Sequence, residues 1–438
     1  EMSLWLAEAN TLDSFRSTPS LPAAVDVVVV GAGIAGCAAA LHCSRLGRSC
    51  VLLDSGGVCG GASGHNGGHL WPAGGGLQTA RGRYEISAVE RLLQQLSELG
   101  EKEEFELNFP GSIELASTAE QAEVMQSGAG EFWDADRVTA AYQSAPGKFF
   151  GGMLHSSGGM LHPVRATRAL AQAALEAGVN LQTHTKVTQI GRSVDRGSSG
   201  GESEQEEEMG GVEVVTERGV VQATLAVIVC VNAWSHSLLP ELEGVVVPYI
   251  NQVLVTDALP NRVWAHPFCA DDDCWYGMQR PDGRIVIGGA PLPCPRHGQI
   301  NQAPPTNRRS TRALRKWVSD HFPVLRPDLG ITTQLEWAGY LTATADYLPL
   351  LGGMPGRNKV FVCCGFNGHG MPVGAAMGAD CAQLALAEAQ VSTHEYLSQL
   401  APGRLLAPPH DTPLHHPQTY VTQTSHPADA HASGGGGG

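Results

Sequence analysis

Three glycines and one carboxylate near the start of the chain have the spacing of a dinucleotide-binding site. Gly31, Gly33 and Gly36 directly follow the apolar run Val27–Val30, and Asp54 comes 18 positions after the last of them. The first glycine permits a tight turn, the second lets the backbone approach a diphosphate, and the third lets helix and strand pack closely. A carboxylate at Asp54 accepts hydrogen bonds from ribose hydroxyls and repels a 2′-phosphate. These residues therefore predict binding of a dinucleotide other than NADP.

The segments around these residues form a strand, a turn, a helix and a second strand. The Ala-rich segment after Gly33 predicts a helix to about Leu46, and Gly47 is well placed as its C-terminal stop. Cys50–Leu53 is a second apolar run, short enough for a buried strand. This order within about 30 residues is the opening βαβ unit of a dinucleotide-binding domain and predicts an α/β fold.

The segment that follows the second strand is exceptionally rich in glycine. Gly56–Gly76 contains ten glycines in 21 residues. A domain that binds NAD usually continues into another regular βα unit at this point. A glycine-rich loop instead predicts close backbone contact with a second, bulky part of the cofactor. The segment therefore argues against NAD.

The rest of the chain alternates predicted helices and strands and contains two segments unlike the others. Val164–Ala177 is predicted as a helix, Trp275–Gly289 as a hairpin around a Pro-Asp-Gly turn, and Val360–Cys364 as a strand. Residues 193–211 are acidic and lack core-forming side chains, so they predict a disordered loop inserted in a sheet connection. Residues 400–438 are rich in Pro and His and predict a flexible tail.

Composition argues against several classes of partner. The 438-residue chain has 28 Lys and Arg against 43 Asp and Glu, a net charge of −15, and no basic run that would bind nucleic acid. No apolar run reaches the roughly 20 residues of a membrane span. The 11 cysteines form no CxxC pair, which favours buried free thiols over a metal site. We therefore expect an intracellular protein, cytoplasmic or organellar, with no targeting segment visible and no metal.

Seven segments have the motifs of one protein family: GAGIAG at 31–36, GASGHNGG at 61–68, GGMLHPVRATRALAQAALEAG at 158–178, VCVNAWS at 229–235, RPDGRIVIGG at 280–289, WAGYLTATADYLPLLG at 337–352 and CGFNGHGM at 364–371. On these motifs the chain resembles the FAD-dependent oxidoreductases of the D-amino-acid oxidase, sarcosine oxidase and glycine oxidase group. The GASGHNGG and GHG motifs are most similar to those of gamma-glutamylputrescine oxidoreductase-like members. The resemblance covers residues 24–392 and implies FAD as the cofactor.

The resemblance also implies an architecture of two interleaved domains. A Rossmann-like FAD-binding domain would comprise residues 24–75, 155–240 and 336–395. A substrate domain with a mixed or antiparallel sheet would comprise residues 76–154 and 241–335, and its sheet would cover the flavin. The fold class expected is therefore α/β with a discontinuous cofactor domain.

The resemblance assigns cofactor contacts to residues in several of these segments. Those at the adenosine and diphosphate end are Gly31, Gly33, Ile34, Ala35, Gly36, Asp54, Ser55 and Val187. Those expected along the diphosphate, the ribityl chain and the flavin are Gly61, Ala62, Ser63, Asn66, Gly67, Gly68, Asn232, Ala233, Gly339, Asp346, Gly365, Gly368, His369, Gly370 and Met371. The glycine turn before residue 371 opens a predicted helix, whose positive end would stabilise the anion of a reduced flavin.

Residues that bind a substrate carboxylate in the resembled family are missing from this chain. Leu341 stands where glycine oxidase-like relatives have an arginine, and Pro372 stands where monomeric sarcosine oxidase-like relatives have a lysine. Neither leucine nor proline can replace a charge-assisted ion pair. Either Arg165, Arg280 or Arg284 supplies a different anchor, or the substrate is an amine without an α-carboxylate.

Four residues are candidates for direct roles in catalysis: His65, His369, Arg280 and Tyr340. His65 aligns with the histidine that carries flavin covalently in dimethylglycine dehydrogenase-like relatives, but a hydrogen-bonded loop residue is the simpler interpretation. His369 is either a turn residue packed under the ring or a group that tunes the flavin potential. Tyr340 either lines the site of a cationic amine or belongs to the core.

Taken together, these features predict an FAD-dependent oxidoreductase that oxidises the C–N bond of a small amine or amino acid. Hydride transfer to the flavin would give an imine that hydrolyses, and oxygen or an electron carrier would reoxidise the flavin. The alternative is a flavin-binding protein without turnover of its own, an assembly or regulatory subunit, in which the glycine motifs persist while the substrate anchors are lost.

Overall fold

A computed structural model describes residues 2–72, 76–128, 130–192, 210–271, 273–293, 304–325, 333–387 and 395–406 of the chain. In chain order the strands are β1 (Ala24–Val30), β2 (Cys50–Leu53), β3 (His69–Leu70), β4 (Ser112–Ala116), β5 (Glu131–Asp134), β6 (Gly151–His155), β7 (Gly159–Met160), β8 (Asn180–Gln182), β9 (Val187–Arg192), β10 (Val212–Thr216), β11 (Gly219–Val229), β12 (Val247–Thr256), β13 (Phe268–Ala270), β14 (Trp275–Gln279), β15 (Ile285–Pro293), β16 (Thr333–Ala343), β17 (Leu350–Gly353) and β18 (Val360–Cys364). The α-helices are α1 (Ile34–Arg45), α2 (Ala80–Leu99), α3 (Ala119–Gln126), α4 (Ala135–Tyr142), α5 (Pro163–Glu176), α6 (Ser235–Leu238), α7 (Arg308–His321), α8 (Gly370–Ala385), α9 (Glu395–Ser398) and α10 (Gly403–Leu406).

The first sheet has a parallel centre covered on both faces. Its order is β17-β18-β11-β1-β2-β8, and β9 and β10 continue from β11 as an antiparallel layer. Val27 and Val29 of β1 belong to a core shared with α1, α5 and α8. Val28 and Val30 belong to a second core, shared with β9, β10 and β11. Because β1 is buried on both faces, its sequence is a continuous apolar run rather than an alternating one.

Helices α1 and α8 pack closely because α8 presents glycines to α1. A Cβ on Gly378 would lie 2.1 Å from the carbonyl O of Ala35, and a Cβ on Gly374 would lie 2.8 Å from Cγ2 of Ile34. The two helices follow β1 and β18, which are parallel to the strand β11 between them. Both helices therefore begin at the carboxyl edge of the sheet, where α/β proteins bind their ligands.

The second sheet has the order β16-β12-β15-β14-β13-β4-β6-β5 and is antiparallel except between β13 and β4. One face packs on an aromatic core that includes Trp264, Phe268 and Trp317. Strand β16 pairs with β12 from Thr333 to Ala343. The domain boundary predicted at residue 336 therefore falls inside a strand of the second sheet, and the chain returns to the first sheet at β17.

The α/β fold class, with a Rossmann-like sheet and a separate mixed sheet, is confirmed. The predicted flexible tail, residues 400–438, includes the described helix α10. Nε of Arg404 in this helix donates to Oδ2 of Asp346 at 2.6 Å. Residues 407–438 and most of the predicted acidic loop, residues 193–209, lie outside the described residues. Within the described part of the chain, no helix combines the length and apolarity that crossing a membrane requires.

Candidate functional site

Two adjoining cavities lie at the carboxyl edge of the first sheet and beneath the second sheet. The first has a volume of about 520 Å³ and includes the ends of β1 and β2 and the residues after β11 in its wall. The second has a volume of about 540 Å³ and includes residues of β12, β14 and β16. The cavities meet at five shared residues, which are Ala62, Asn66, Leu341, Gly368 and Met371.

The turn after β1 has glycines where a side chain cannot fit. Gly31 has a φ of +105°, and a Cβ there would lie 2.8 Å from the carbonyl O of Cys230. A Cβ on Gly36 would lie 1.8 Å from the carbonyl O of Gly31. Gly33 lines the first cavity, where a Cβ would lie 3.1 Å from Oγ of Ser63. The turn thus presents bare backbone to the cavity, the arrangement that lets a diphosphate approach.

Asp54 lies at the end of β2 and lines the same cavity. Its carboxylate accepts hydrogen bonds from the backbone N–H of Ala32 at 2.6 Å and of Gly56 at 2.8 Å. Burial raises the pKa of Asp54, while these two hydrogen bonds oppose the rise. The carboxylate is therefore fixed against the glycine turn, at the position that the sequence predicts for contact with a ribose.

The glycine-rich loop after β2 is held in shape by its own side chains. The Nδ2 group of Asn66 donates to the carbonyl O of Ala62 at 3.0 Å and of Ser63 at 2.8 Å. Oγ of Ser63 accepts a hydrogen bond from the N–H of Ile34, the first residue of α1. The indole N–H of Trp5 donates to the carbonyl O of Asn66 at 2.7 Å. The loop is thus anchored to both α1 and the N-terminal segment.

The residues of the first cavity fit FAD, the cofactor implied by the resemblance. Its wall combines bare backbone at Gly31 and Gly33, the Asp54 carboxylate, and Gly370 and Met371 at the N-terminus of α8. These are partners for a diphosphate, a ribose and an electron-rich ring, respectively. The predicted cofactor residues that line this cavity are Gly31, Gly33, Ile34, Ala35, Asp54, Ser55, Gly61, Ala62, Ser63, Asn66, Val187, Asn232, Gly368, Gly370 and Met371.

The second cavity is lined by aromatic and polar side chains and, among the described residues, by one carboxylate, that of Asp273. The aromatic ones are Trp71, Tyr249, Tyr276 and Tyr347. Among the residues that the structure describes, no Arg or Lys lines it. The predicted residues in its wall are Ala62, His65, Asn66, Gly67, Gly339, Gly368, His369 and Met371. The wall is therefore suited to a cation rather than to a carboxylate.

Asp273 and His369 form an ion pair in the wall of the second cavity. Oδ2 of Asp273 lies 3.4 Å from Nε2 of His369. Burial alone would lower the pKa of His369, but the hydrogen bond and the charge of Asp273 outweigh it and raise the pKa. Burial alone would raise the pKa of Asp273, but His369 outweighs it and lowers the pKa. Each partner therefore favours the charged form of the other.

The two other histidines of this cavity are uncharged near neutral pH. Nδ1 of His65 lies 2.9 Å from the carbonyl O of Gly61, and burial lowers the pKa of His65. Nε2 of His69 lies 3.0 Å from Oγ of Ser112, and burial lowers the pKa of His69 to about 3. His369 is the histidine of this cavity whose pKa is raised.

Two of the predicted catalytic residues lie outside both cavities. Tyr340 follows Gly339 on β16 and points to the opposite face of the strand, where its ring packs edge-on against Trp234 at 5.7 Å. Arg280 is bound by Glu106 at 2.8 Å and by Asp282 at 2.9 Å. Neither residue lines either cavity, so the structure gives no support to a direct contact of Tyr340 or Arg280 with a substrate.

The two other arginines considered as anchors are also engaged elsewhere. Arg165 is paired with Glu8 and lies 3.6 Å from Glu106. Arg284 lies 3.5 Å from Asp282. Neither arginine is among the residues that line the second cavity. The structure thus brings none of the three proposed arginines to the cavity.

Several predicted cofactor residues shape the site without lining either cavity. Gly365 has a φ of +72° and donates its N–H to Oδ1 of Asn232 at 2.9 Å. Asp346 accepts hydrogen bonds from Arg404 instead of facing the cavity. The other predicted cofactor residues that line neither cavity are Gly36 and Gly68, which allow close packing of the backbone, and the buried Ala233.

Sequence reasoning assigned no site role to Tyr249, Asn251, Asp273 and Tyr347, although all four line the second cavity. Asn251 is one of two adjacent polar residues in the largely apolar strand β12, where it lies opposite Gly339. Its Oδ1 accepts a hydrogen bond from the hydroxyl of Tyr276 at 3.3 Å. Asp273 lies in an acidic turn between β13 and β14, and nothing local distinguishes it from its neighbours.

The tyrosine that bonds Asn251 is fixed in the cavity wall by two glycines. A Cβ on Gly67 would lie 2.4 Å from the ring of Tyr276, and a Cβ on Gly288 would lie 2.1 Å from it. The ring of Tyr276 therefore fills the space that side chains at both positions would occupy. This explains why a glycine of the cofactor loop lies against the second sheet.

Comparison with known proteins gives a match over most of the chain. The family model of FAD dependent oxidoreductases (DAO) matches residues 26–384. The 4-methylaminobutanoate oxidase (formaldehyde-forming) of Paenarthrobacter nicotinovorans is 25% identical over 399 residues, which are 83% of this chain and 44% of that protein. The gamma-glutamylputrescine oxidoreductase of Escherichia coli is 25% identical over 397 residues, which are 84% of this chain and 85% of that protein. The chain thus spans less than half the length of the first relative and most of the second.

Two solved structures share the fold. The glycine oxidase from Geobacillus kaustophilus superposes with a TM-score of 0.70 at 21% identity, covering 83% of this chain and 95% of that one. The L-proline dehydrogenase from P. horikoshii superposes with a TM-score of 0.70 at 19% identity, covering 88% of this chain and 98% of that one. At this identity the superpositions establish the architecture alone.

Proposed function

The chain belongs to the family of FAD-dependent oxidoreductases, of the amine or amino-acid oxidase type, and we propose that its substrate is an amine without an α-carboxylate. The observation that carries the proposal is the wall of the second cavity. Its described residues include no Arg or Lys, but they include the carboxylate of Asp273 and four aromatic rings. A carboxylate in the substrate would find no guanidinium or lysine ammonium group there, whereas a substrate ammonium would find the carboxylate of Asp273, which pairs with His369.

The first cavity holds the cofactor in this proposal. Backbone N–H groups at the start of α1 bind the diphosphate, and Asp54 accepts hydrogen bonds from the ribose. The N-terminus of α8, at Gly370 and Met371, lies at the junction of the cavities and favours negative charge there. FAD, when bound, supplies the acceptor for a hydride from the carbon that bears the amine, and the imine so formed hydrolyses.

The second cavity orients the amine and keeps water from the reacting carbon. Leu341 and Met371 line both cavities and give the junction an apolar surface. Tyr276 is immobilised between Gly67 and Gly288, and its hydroxyl is held by Asn251. Rigid aromatic walls attract a cation through the ring faces and exclude water from the apolar junction.

The names of the relatives leave the substrate class open. They include glycine, whose carboxylate is on the carbon that bears the amine, and 4-methylaminobutanoate, whose carboxylate is separated from the amine by three carbons. The cavity wall, which has Leu341 where the resemblance places an arginine, supports an amine without an α-carboxylate for this chain. We further propose that oxygen or an electron carrier reoxidises the flavin.

Anaerobic titration of the FAD-loaded protein with a panel of amines tests the proposed function. We expect at least one amine without an α-carboxylate to bleach the oxidised-flavin absorption, because two electrons then remain on the flavin. N-methylated and longer-chain amines should be included, with the corresponding amino acids as matched partners. If no amine bleaches the flavin while an amino acid does, the proposal is wrong. If no compound of either class does, the chain is a flavin-binding protein without turnover on such substrates.

A further inference from the structure

Asp273 and His369 lie at the place where an amine must meet the cofactor. His369 immediately precedes α8, and the nearby residues Gly368 and Met371 line both cavities. Asp273 reaches His369 from the second sheet, in the turn between β13 and β14. The pair therefore joins the two halves of the site across the second cavity.

An amine substrate arrives in a form that cannot react. Aliphatic amines have pKa values of about 10 and are ammonium ions near neutral pH. Hydride leaves the carbon only when the nitrogen has a free electron pair, so one proton must first leave the nitrogen. The two other histidines of the cavity are poor acceptors for that proton, because burial lowers the pKa of His65 and lowers the pKa of His69 to about 3.

We propose that His369, positioned by Asp273, takes the proton from the substrate ammonium before oxidation. This inference rests on the proposed function. His369 enters this step as the neutral imidazole: one N–H bond of the ammonium breaks, one N–H bond forms on the unprotonated ring nitrogen, and no electron is transferred. The products are a neutral amine in the cavity and an imidazolium paired with the Asp273 carboxylate. His369 would be a catalytic residue and Asp273 a positioning residue.

The charged groups around His369 support its role as a base. Asp273 raises the pKa of His369, and Glu85 adds to this effect, while Arg81 opposes it. Arg81 and Glu85 are themselves paired at 2.6 Å, so their influence on the imidazole partly cancels. His69 also faces His369, but its pKa of about 3 keeps it uncharged. The raised pKa of the imidazole lies closer to the pKa of the amine, and this favours proton transfer from the ammonium.

The inference can be tested in the absence of turnover by measuring how many protons are released when an amine that cannot be oxidised binds. The carbon that bears the nitrogen in tert-butylamine has no hydrogen, so hydride transfer is impossible. The FAD-loaded protein is titrated in weak buffer at about pH 9, with flavin absorbance reporting occupancy and a dye reporting protons. We expect the wild-type protein to release close to no protons per amine bound, because the proton moves to His369. The double variant Asp273→Asn/His369→Gln, which has neither the base nor the carboxylate that could hold an ammonium, should release about one proton per amine and bind about tenfold or more weakly, because only the neutral amine then binds.

Two further variants separate the proton acceptor from a structural role. Asp273→Asn removes the carboxylate and keeps His369 with a lowered pKa, so proton release should be intermediate between wild type and the double variant. His321→Gln, at a histidine that lines neither cavity, should leave the proton count as in wild type. Release of one proton by the wild-type protein, or release by Asp273→Asn equal to that of the double variant, would overturn the inference while leaving the proposed function intact. Failure of the wild-type protein to bind tert-butylamine or any other amine without an α-carboxylate would contradict both.

Discussion

The two cavities share a wall but are built in different ways. The wall of the first includes two nearly continuous segments, within residues 30–35 and 53–63, and several of these residues are glycines. The second is lined by side chains from separate strands and turns, among them Tyr249, Asp273 and Tyr276. A wall made of main-chain atoms keeps its shape when side chains are substituted. A wall made of side chains changes with each substitution. A fold of this kind can therefore change its substrate while it keeps its cofactor.

The two cavities also differ in what holds the carboxylate that each contains. In the first cavity Asp54 is fixed by backbone N–H groups, so its environment depends on the turn and not on another side chain. In the second cavity Asp273 depends on His369, which belongs to a distant part of the sequence. Substitutions should therefore affect cofactor binding through shape in the first cavity and substrate choice through charge in the second.

Gly33→Val should produce the largest effect, because it fills the backbone wall of the first cavity. The added side chain would occupy the approach of the diphosphate next to Ser63. We expect the FAD content of the purified protein to fall by about tenfold or more. The measurement is the ratio of flavin to protein absorbance after gel filtration.

Gly353→Val is the matched control for this substitution. Gly353 is exposed on β17, and a Cβ there would lie 3.7 Å from the ring of Phe361, an ordinary contact. This variant should keep its FAD. Full FAD occupancy in Gly33→Val would show that the glycine turn is not the diphosphate site.

Leu341→Arg should change substrate choice without loss of the cofactor. Leu341 lines both cavities, so an arginine there would bring a guanidinium to the junction. A charge-assisted hydrogen bond contributes about 1.5–3 kcal/mol, which corresponds to a change of about tenfold to a hundredfold. We expect kcat/KM for sarcosine to rise by this factor relative to kcat/KM for N-methylbutylamine.

Leu341→Met is the control for that substitution, since it keeps an apolar side chain of similar volume. Its ratio of the two kcat/KM values should stay close to that of the wild-type protein. An unchanged ratio in Leu341→Arg, with FAD still bound, would mean that the substrate does not reach this wall.

Arg280→Ala should affect stability and leave substrate choice unchanged. Arg280 is nearly buried, pairs with Glu106 and Asp282, and lies with its Cζ 4.9 Å from the ring centroid of Trp5. Removing one partner of such a pair leaves the other charges without compensation. We expect the free energy of unfolding to fall by about 2–4 kcal/mol, measured by urea denaturation of the holoprotein. A large change in the ratio for sarcosine and N-methylbutylamine at unchanged stability would restore Arg280 as a substrate anchor.

Deletion of residues 194–208 should have the smallest effect. The flanking strands β9 and β10 pair directly, with Arg192 opposite Val212, so a short connection can join them. The cost of loop closure varies only slowly with loop length. We expect the melting temperature to change by less than about 2 °C and FAD content to stay the same. A fall of many degrees would mean that the acidic segment contributes to packing.

The cofactor half of the site could be predicted because its signal is local. Gly31, Gly33 and Asp54 are close in sequence, and their spacing alone specifies a strand, a turn and a helix. The substrate half lacks such a signal. Asp273 and His369 are about 100 residues apart in the sequence, and only the packing of the second sheet against the first brings them together.

The position of Tyr340 outside the second cavity has a specific physical cause. Along β16, Gly339 and Leu341 face the cavity, and Tyr340 between them faces the opposite side and packs on Trp234. Side chains alternate along a strand, so a shift of one residue exchanges its two faces. Sequence motifs located this strand correctly but did not determine which of its faces meets the cavity.

The central claim is that the second cavity receives an amine without an α-carboxylate, and one comparison tests it most directly. The rate of anaerobic flavin reduction is measured in the wild-type holoprotein with N-methylbutylamine and with sarcosine, two N-methyl amines in which the carbon next to the nitrogen carries a propyl group and a carboxylate, respectively. Because the described wall of the cavity has no Arg or Lys to bind a carboxylate, we expect the second-order rate constant to be at least about tenfold larger for N-methylbutylamine. Faster reduction by sarcosine would contradict the account.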